Sequence, residues 1–299
     1  MKKVLVTGYS GFIGHSVTNE LLNRGYNVVG LYSTHKLPEQ KNLTQIRLDL
    51  LNKSEVDTFF TNNHFENLIH MAWYLGPKCH IDNINMAWLE MSLCLLQSFY
   101  KTGGKKFLCN GTISEYDFSY GYLSENKTPL NNNSLHGKCK ASLYSIASVF
   151  CQQNNIDFKW PRIFNLYGPY EKPNRLMPSV INSMLIGNDV RVSDCLKIQD
   201  YLHVFDVARG IVDIFESKVN GAVNVCSNNP IKLRKIVETI ADITNFKGDI
   251  LWGAIPSSFD DPFVVGSNKI LTENIGWSQN ISLEEGLSMA SEWWRKFNV

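Results

Sequence analysis

Several features are missing from this 299-residue sequence, and each absence closes a class of function. No apolar run reaches the roughly 20 residues that a membrane-spanning helix needs. Neither sign of charge is in excess, with 29 Lys and Arg against 28 Asp and Glu, so no basic surface points to nucleic acid or an anionic membrane. The seven cysteines, at 79, 94, 109, 139, 151, 195 and 226, are odd in number and scattered. They make neither paired zinc spacing nor a disulfide framework, so the expectation is reduced thiols in a cytoplasm and no metal site. Met1-Lys2-Lys3-Val4-Leu5-Val6 enters a strand-like run directly, without the apolar segment and cleavage site of a secretory leader. There is no internal repeat and no low-complexity linker. The remaining composition, 44% hydrophobic and 19% charged, is that of a soluble globular chain.

What is present is an alternation. Strand-like runs stand at Lys3–Thr7, Asn27–Leu31, Gln45–Leu48, Asn67–Met71, Lys106–Asn110 and Asp157–Pro161, with helix-like stretches between them. Ile13, Val17 and Leu21 recur every four residues and put one apolar stripe on the first helix. Such repetition implies a parallel sheet with helices on both faces. Asn85–Phe99 and Lys138–Gln152 read as helices apolar over more than one face, the first through Met86, Leu89, Met91, Leu93, Leu95 and Leu96. Core packing accounts for this, and a subunit interface would need the same excess. Asn126–Asn133, with Pro129 and three consecutive asparagines, reads as a loop. Beyond Pro169 the pattern loosens. Amphipathic helices are expected at Ile231–Ile243 and Ser282–Phe297, the second opened by a Ser282/Glu285 capping box.

Gly8-Tyr9-Ser10-Gly11-Phe12-Ile13-Gly14 follows the first strand and opens the first helix. Glycines at this spacing let the backbone turn tightly, approach a pyrophosphate and pack helix on strand, while the helix N-terminus offers free N–H groups to phosphate. A ligand-free glycine turn is the bland alternative; the strand–turn–helix context favours a dinucleotide site at Gly8, Gly11, Phe12, Ile13 and Gly14. The fold expected is therefore α/β, a doubly wound parallel sheet of Rossmann type over residues 1–165. Residues 166–299 would form mainly a smaller substrate-binding region, with segments near 199–217 returning to the Rossmann domain. An NAD site usually places an acidic residue about 20 residues beyond the glycines, at the end of the second strand. Here Val28-Val29-Gly30-Leu31 runs into Tyr32-Ser33-Thr34-His35-Lys36 without a carboxylate. Hydroxyl and cation, Ser33 and Lys36 foremost, suit a 2′-phosphate, so NADP(H) is favoured. NAD(H) stays open, because a solvated polar loop has the same composition.

The glycine spacing resembles that of extended short-chain dehydrogenases, the nucleotide-sugar epimerase/dehydratase group, and the resemblance recurs along nearly the whole chain. Asp49 in Arg47-Leu48-Asp49-Leu50 resembles the family aspartate that contacts adenine, with Leu50 beside it. Leu68-Ile69-His70-Met71-Ala72 matches the fourth-strand motif, which implies that Met71 and Ala72 line the cofactor. Pro161-Arg162-Ile163-Phe164-Asn165-Leu166-Tyr167-Gly168-Pro169 is similar to the segment bridging nicotinamide and sugar nucleotide, Pro161 on the cofactor side and Asn165 on the substrate side. Gln199-Asp200-Tyr201-Leu202-His203-Val204-Phe205-Asp206-Val207-Ala208 matches another hallmark except at its first position, usually Arg. Asp261-Pro262 through Ser267, Lys269, Gly276-Trp277 and Ser282–Leu287 follow the pattern of the tail.

The family's chemistry rests on a Ser or Thr and a Tyr-x-x-x-Lys pair. The resemblance puts Thr112, four residues before Tyr116, at the hydroxyl position, hydrogen-bonded to the reacting oxygen of the sugar. Ser134-Leu135-His136-Gly137-Lys138-Cys139-Lys140 resembles the second half. It implies that Lys140 binds the nicotinamide ribose and lowers the pKa of the acid/base group. The tyrosine itself is replaced by His136, the chain's largest departure. Three readings follow. His136 acts itself, as an imidazolium donating to an alkoxide, from a reference pKa of ~6.5 that the nearby ammonium lowers. Alternatively Tyr120 or Tyr122 reaches the site. Alternatively the protein binds its ligands and turns over slowly or not at all.

Dehydratases of this group follow the hydroxyl residue with Asp and Glu, where this chain has Ile113 and Ser114; Glu115 is out of register by one. Epimerase–reductases place a Cys two residues before Tyr116 and a His after the Gly-Pro turn; here stands Ser114, and no His occurs between Gly168 and Gly187. The missing acidic residue after Leu31 and the look of Asn174-Arg175-Leu176-Met177-Pro178 through Ile186, similar to abequose- and fucose-type reductases, imply NADPH-dependent reduction of a nucleotide-linked 4-keto-6-deoxy sugar. CDP and dTDP sugars are favoured by that likeness alone. An NAD-dependent 4-epimerase is the alternative within the enzyme class, and a silent dinucleotide-binding homologue the alternative outside it. Asn165, Asn174, Arg175 and Tyr201 would contact the diphosphate or sugar. A homodimer through the apolar helices, in a cytoplasmic setting of glycan precursor synthesis, is the family expectation.

Overall fold

The computed structural model describes residues 2–131, 133–257 and 262–297. The first part alternates as the apolar runs require: β1 (Lys3–Thr7), α1 (Phe12–Asn23), β2 (Asn27–Tyr32), β3 (Leu43–Arg47), α2 (Lys53–Asn62), β4 (Asn67–His70), α3 (Ile84–Lys101) and β5 (Lys106–Cys109). Then come β6 (Gly111–Thr112), β7 (Tyr122–Leu123), α4 (Leu135–Gln153), β8 (Asp157–Ile163), β9 (Asn165–Tyr167), α5 (Leu176–Leu185), β10 (Val190–Arg191) and β11 (Ile198–His203). The chain closes with α6 (Val204–Glu216), β12 (Gly221–Val225), β13 (Pro230–Lys232), α7 (Leu233–Thr244), β14 (Ile250–Leu251), β15 (Phe263–Gly266) and α8 (Leu283–Arg295).

The main sheet runs β3-β2-β1-β4-β5-β8-β12 with β6 attached to β8, and every pairing is parallel. Strand order reverses between β1 and β4, the switch point at which doubly wound sheets open a crevice. Side chains that alternate along β1 feed two cores. Val4 and Val6 join Val17, Leu21, Ile211, Ile214 and Val223 under α1 and α6. Leu5 joins Leu68, Leu95, Phe99, Phe107, Leu143 and Trp160 under α3 and α4. The parallel sheet is thus covered on both faces, which is what its near-continuous apolar strands demand. α6 and β12 come from beyond residue 165 to complete it.

A third core, built on Met177, Val180, Ile181, Ile236, Val237, Ile240, Leu287 and Trp294, holds α5, α7 and α8 together. Next to it a small sheet runs β13-β11-β15-β7, with β9 on β11. The helix expected from Ile231 begins instead at Leu233, because Pro230–Lys232 pairs antiparallel with β11 before the chain turns helical. The capping box at Ser282 is formed, with Glu285 N donating to Ser282 Oγ and Ser282 N to Glu285 Oε2. Among the described residues no helix is long and apolar enough to cross a membrane. Asn132 and Asp261, named in the sequence patterns above, lie outside the described residues.

Candidate active site

The glycine turn sits at the carboxyl end of β1, on the switch point. Gly8 has φ +68°, and a Cβ there would lie 2.7 Å from the Ala72 nitrogen, so the turn and the end of β4 meet backbone to backbone. A Cβ at Gly14 would run into the Gly8 carbonyl, which presses α1 onto the turn. Gly11 caps α1 without a side-chain bond, and its N–H donates to Gly8 O at 3.1 Å. The next amides, of Phe12, Ile13 and Gly14, belong to a first helical turn that has no partner for them within the helix. A glycine cradle against β4 with a helix N-terminus aimed along it fits a dinucleotide pyrophosphate.

Beyond β2, Ser33 and Lys36 are exposed on a loop. That loop is fastened from beneath. Gln45 accepts from Leu37 N at 2.9 Å and donates to Leu37 O at 3.0 Å, and it also takes a hydrogen bond from the buried Tyr9 hydroxyl. Asp49 is exposed and accepts from Leu51 N at 3.0 Å, with Leu50 half-buried beside it. Met71 and Ala72 are half-buried, and Ala72 N donates to Thr7 Oγ1 at 3.2 Å. Thr7 Oγ1 also bonds His70, whose other nitrogen meets Ser92, so this strand end is fixed by hydrogen bonds that cross the switch point. Pro161 is buried within β8, paired with Val223.

His136 and Lys140 stand on α4, which packs against β6, the strand that carries Thr112. Lys140 Nζ donates to Asn110 O at 2.7 Å, two residues before Thr112, and lies 3.9 Å from the centroid of the Trp73 ring. It is only 4% exposed, and burial holds its pKa below the usual lysine value. Thr112 is half-buried; its hydroxyl accepts from Ser114 N at 3.2 Å, capping a short turn. His136, also 4% exposed, has Nδ1 3.2 Å from Asn85 Oδ1.

The Asn85 side chain fixes the protons in this cluster. Its amide nitrogen donates to Cys79 O and Asp82 O, both at 2.7 Å, so its oxygen must accept. That oxygen takes Trp73 Nε1 at 2.8 Å and His136 Nδ1. His136 is therefore the Nδ1–H tautomer, and Nε2 is the nitrogen without a proton. Burial, then Lys140 and His80, hold its pKa down to about 3. This environment favours a neutral imidazole, with its unprotonated nitrogen as an acceptor, over the imidazolium expected of it. Tyr120 and Tyr122 are exposed, and the Tyr122 hydroxyl donates to Asn228 Oδ1 at 3.0 Å. Glu115 is engaged in a buried ion pair with Arg162 Nε at 2.8 Å and accepts from Trp160 Nε1, so it is not available to eliminate water.

Asn165 and Tyr201, two of the residues expected on the substrate side, meet where β9 pairs with β11. Asn165 is the register partner of Tyr201, and its amide donates to Gln199 Oε1 at 3.4 Å and Asp200 O at 3.3 Å. Arg175 caps α5 and is exposed, with Asn174 exposed beside it. Glu171, in the loop leading to α5, was not singled out by the sequence. Nor were Trp73 and Asn85, whose side chains complete the cluster around Lys140 and His136. A Trp directly after the fourth-strand motif was the available signal for the first; Asn85 gave none.

The sequence profile of the NAD dependent epimerase/dehydratase family matches residues 4–226. UDP-glucose 4-epimerase of Bacillus subtilis (strain 168) is 26% identical over 99% of this chain and 97% of its own length. CDP-abequose synthase of Salmonella muenchen is 21% identical, with 96% of each protein covered. The crystal structure of UDP-glucose 4-epimerase from Thermus thermophilus in complex with NAD has a TM-score of 0.86 at 24% identity, over 98% of this chain and 99% of that one.

Proposed function

The chain belongs to the NAD dependent epimerase/dehydratase family, and on that premise we propose that it reduces the 4-keto group of a nucleotide-linked 4-keto-6-deoxy sugar with NADPH. The observation that carries the choice of reductase is the end of β2. Tyr32 is followed by exposed Ser33, Thr34, His35 and Lys36, where a carboxylate would disfavour a 2′-phosphate. In this reading Gly8, Gly11, Phe12, Ile13 and Gly14 hold the pyrophosphate, Ser33 and Lys36 the 2′-phosphate, and Asp49 and Leu50 the adenine end. Met71, Ala72 and Pro161 line the remainder, and Lys140 orients the nicotinamide ribose. Bound there, the reduced cofactor supplies hydride. Thr112 hydrogen-bonds through its hydroxyl to the sugar's reacting oxygen, the alkoxide left by hydride transfer takes its proton from solvent, and neutral His136 offers an acceptor that keeps a sugar hydroxyl oriented. Asn165, Asn174, Arg175 and Tyr201 hold the diphosphate and sugar. A homodimer would cover Met86 and Tyr100 on α3 and Ile146 and Val149 on α4, all exposed in the single chain.

A second reading, a 4-epimerase that retains NAD, is favoured by the UDP-glucose 4-epimerases of Bacillus subtilis and Thermus thermophilus, the latter in complex with NAD. The two separate on denaturing freshly purified protein and identifying any dinucleotide released, beside NADPH and NADH titrations of the intact protein. An empty protein that prefers NADPH and oxidises it with a 4-keto-6-deoxy sugar nucleotide supports the reductase. Stoichiometric NAD carried through purification overturns it in favour of the epimerase. Binding of both ligands without turnover would leave a silent homologue.

A further inference from the structure

Glu171 is a half-buried acid whose Oε2 is itself buried and has no hydrogen-bond partner. Native proteins rarely leave a buried polar atom unpaired, and one in a cleft points to a missing ligand. The loop that carries it is fixed on each side. Tyr170 stands edge-on to His15 at 4.2 Å between ring centres and meets Trp293 at 5.1 Å. Lys172 Nζ donates to Leu75 O at 2.6 Å, and Glu171 N to Gly168 O at 3.4 Å. The side chain is thus held between two anchored neighbours. The ionisable groups facing it are Arg175 at the start of α5 and Tyr201 on β11. Arg175 in turn acts on His80, whose ring stands edge-on to His136 with centres 5.9 Å apart. The contacts of Tyr170 with His15 and of Lys172 with Leu75 place the loop that carries Glu171 between the start of α1, beyond the glycine turn, and the segment that follows β4.

Burial and charge disagree about its proton. Arg175 and a backbone hydrogen bond from Gly168 favour the carboxylate, but burial outweighs both and pushes the pKa up to about 8. A carboxylic acid held neutral at physiological pH is a hydrogen-bond donor without a charge. That chemistry suits a neutral oxygen of a sugar; Arg175 already serves an anionic diphosphate.

Resting on the nucleotide-sugar reading above, we propose that Glu171 is a substrate-binding residue whose protonated carboxyl donates a hydrogen bond from Oε2 to an oxygen of the sugar. Loss of that proton turns a donor into a charge beside a hydroxyl or carbonyl, and the contact is released.

The proton is read first, by thermal melting of the wild type and Glu171→Gln from pH 5 to 9. The folded acid has the higher pKa, so its stability contribution is full below the unfolded value of about 4.5 and is lost as pH rises through about 8. The melting point of the variant should rise relative to wild type with pH; a constant gap overturns the buried-acid premise. Binding is read second, by calorimetry with UDP-, CDP- and dTDP-glucose beside UDP, CDP and dTDP. Wild-type affinity for a sugar nucleotide should fall steadily above about pH 8, up to about tenfold per unit, while affinity for the bare nucleotide holds. Glu171→Gln, which keeps a donor, should abolish that fall, and Glu171→Ala should weaken only the sugar nucleotide, by about 3- to 10-fold at pH 6. Equal effects on both ligand classes, or the same pH dependence in wild type and variant, overturn the role of Glu171 alone. No binding of any sugar nucleotide by the wild type at any pH overturns the nucleotide-sugar reading and the Glu171 contact with it.

Discussion

The turn from Thr112 to Tyr116 divides two buried polar networks, one closed and one open. In the closed network Glu115 pairs with Arg162 and accepts from Trp160 Nε1 and Thr112 N. Arg162 Nη1 donates to the Tyr116 hydroxyl at 3.1 Å, which donates to Asn224 Oδ1 at 2.7 Å. Asn224 Nδ2 then donates to Leu123 O and Ser267 O. In the open network Lys140, Asn85, Trp73 and His136 satisfy one another, yet Asn110 Oδ1 and Glu171 Oε2 are buried and unpaired. Both regions are polar and buried. The closed one ties β6, β7, β8 and β12 together and, among the described residues, has no unmet bond to offer a ligand. The open one has chemistry left over. A hydroxyl, lysine or acid near a cleft is therefore less informative than whether its partners are all supplied by the protein.

Breaking the closed network has the largest expected effect. Arg162→Met strands the buried Glu115 carboxylate, and removal of one partner from a buried pair costs about 3–5 kcal/mol. Denaturant unfolding should show that loss, and the double change Arg162→Met with Glu115→Gln should recover part of it. A single variant within about 1 kcal/mol of wild type would mean that the pair is not the fastener described.

The open network is sharpened by pH. His70 and His136 are held at about 3 and His203 at about 4, chiefly by burial. These folded values are depressed below the unfolded ~6.5, so their contribution is full above that pH and is lost as pH falls toward the folded values. Each group adds a slope of up to about 1.4 kcal/mol per pH unit in that window. His136→Gln should lose about 2 kcal/mol less stability than wild type between pH 7 and 5, measured by urea unfolding at both. An equal loss in both proteins would place a charged imidazole in the folded state and reopen the imidazolium acid.

The sequence made one half of this comparison far more legible than the other. Period and glycine spacing located β1, α1 and the switch-point turn, because those depend on neighbours within a dozen residues. The pairing of His136 with Asn85 joins residues 51 apart, and the proton on Nδ1 follows from two backbone carbonyls that hold the Asn85 amide. Tyr170, next to Glu171, meets His15 and Trp293, one from near each end of the chain. The start of α7 was misplaced by two residues for a similar reason: Ile231 fits the helical stripe, but β11 claims it first. Local pattern therefore reached the glycine turn, and the family resemblance pointed to Thr112, His136 and Lys140. It did not reach the environments that decide what those side chains can do.

The smallest expected effect concerns a third, closed arrangement, beneath the loop that follows β2. Tyr9 lies inside the glycine turn, and its hydroxyl donates to Gln45, which holds both backbone groups of Leu37. The turn proposed for pyrophosphate is thereby coupled to the residue after Lys36, proposed for the 2′-phosphate. Tyr9→Phe removes one hydrogen bond and leaves the Leu37 pair in place, a cost of about 1 kcal/mol. If the fastening sets where Lys36 stands, fluorescence titration should show NADPH binding weakened by about 2- to 5-fold and NADH binding unchanged. Equal weakening of both would locate the effect in the glycine turn. No change in either would make the Tyr9–Gln45 bond a matter of stability alone, like the network around Glu115.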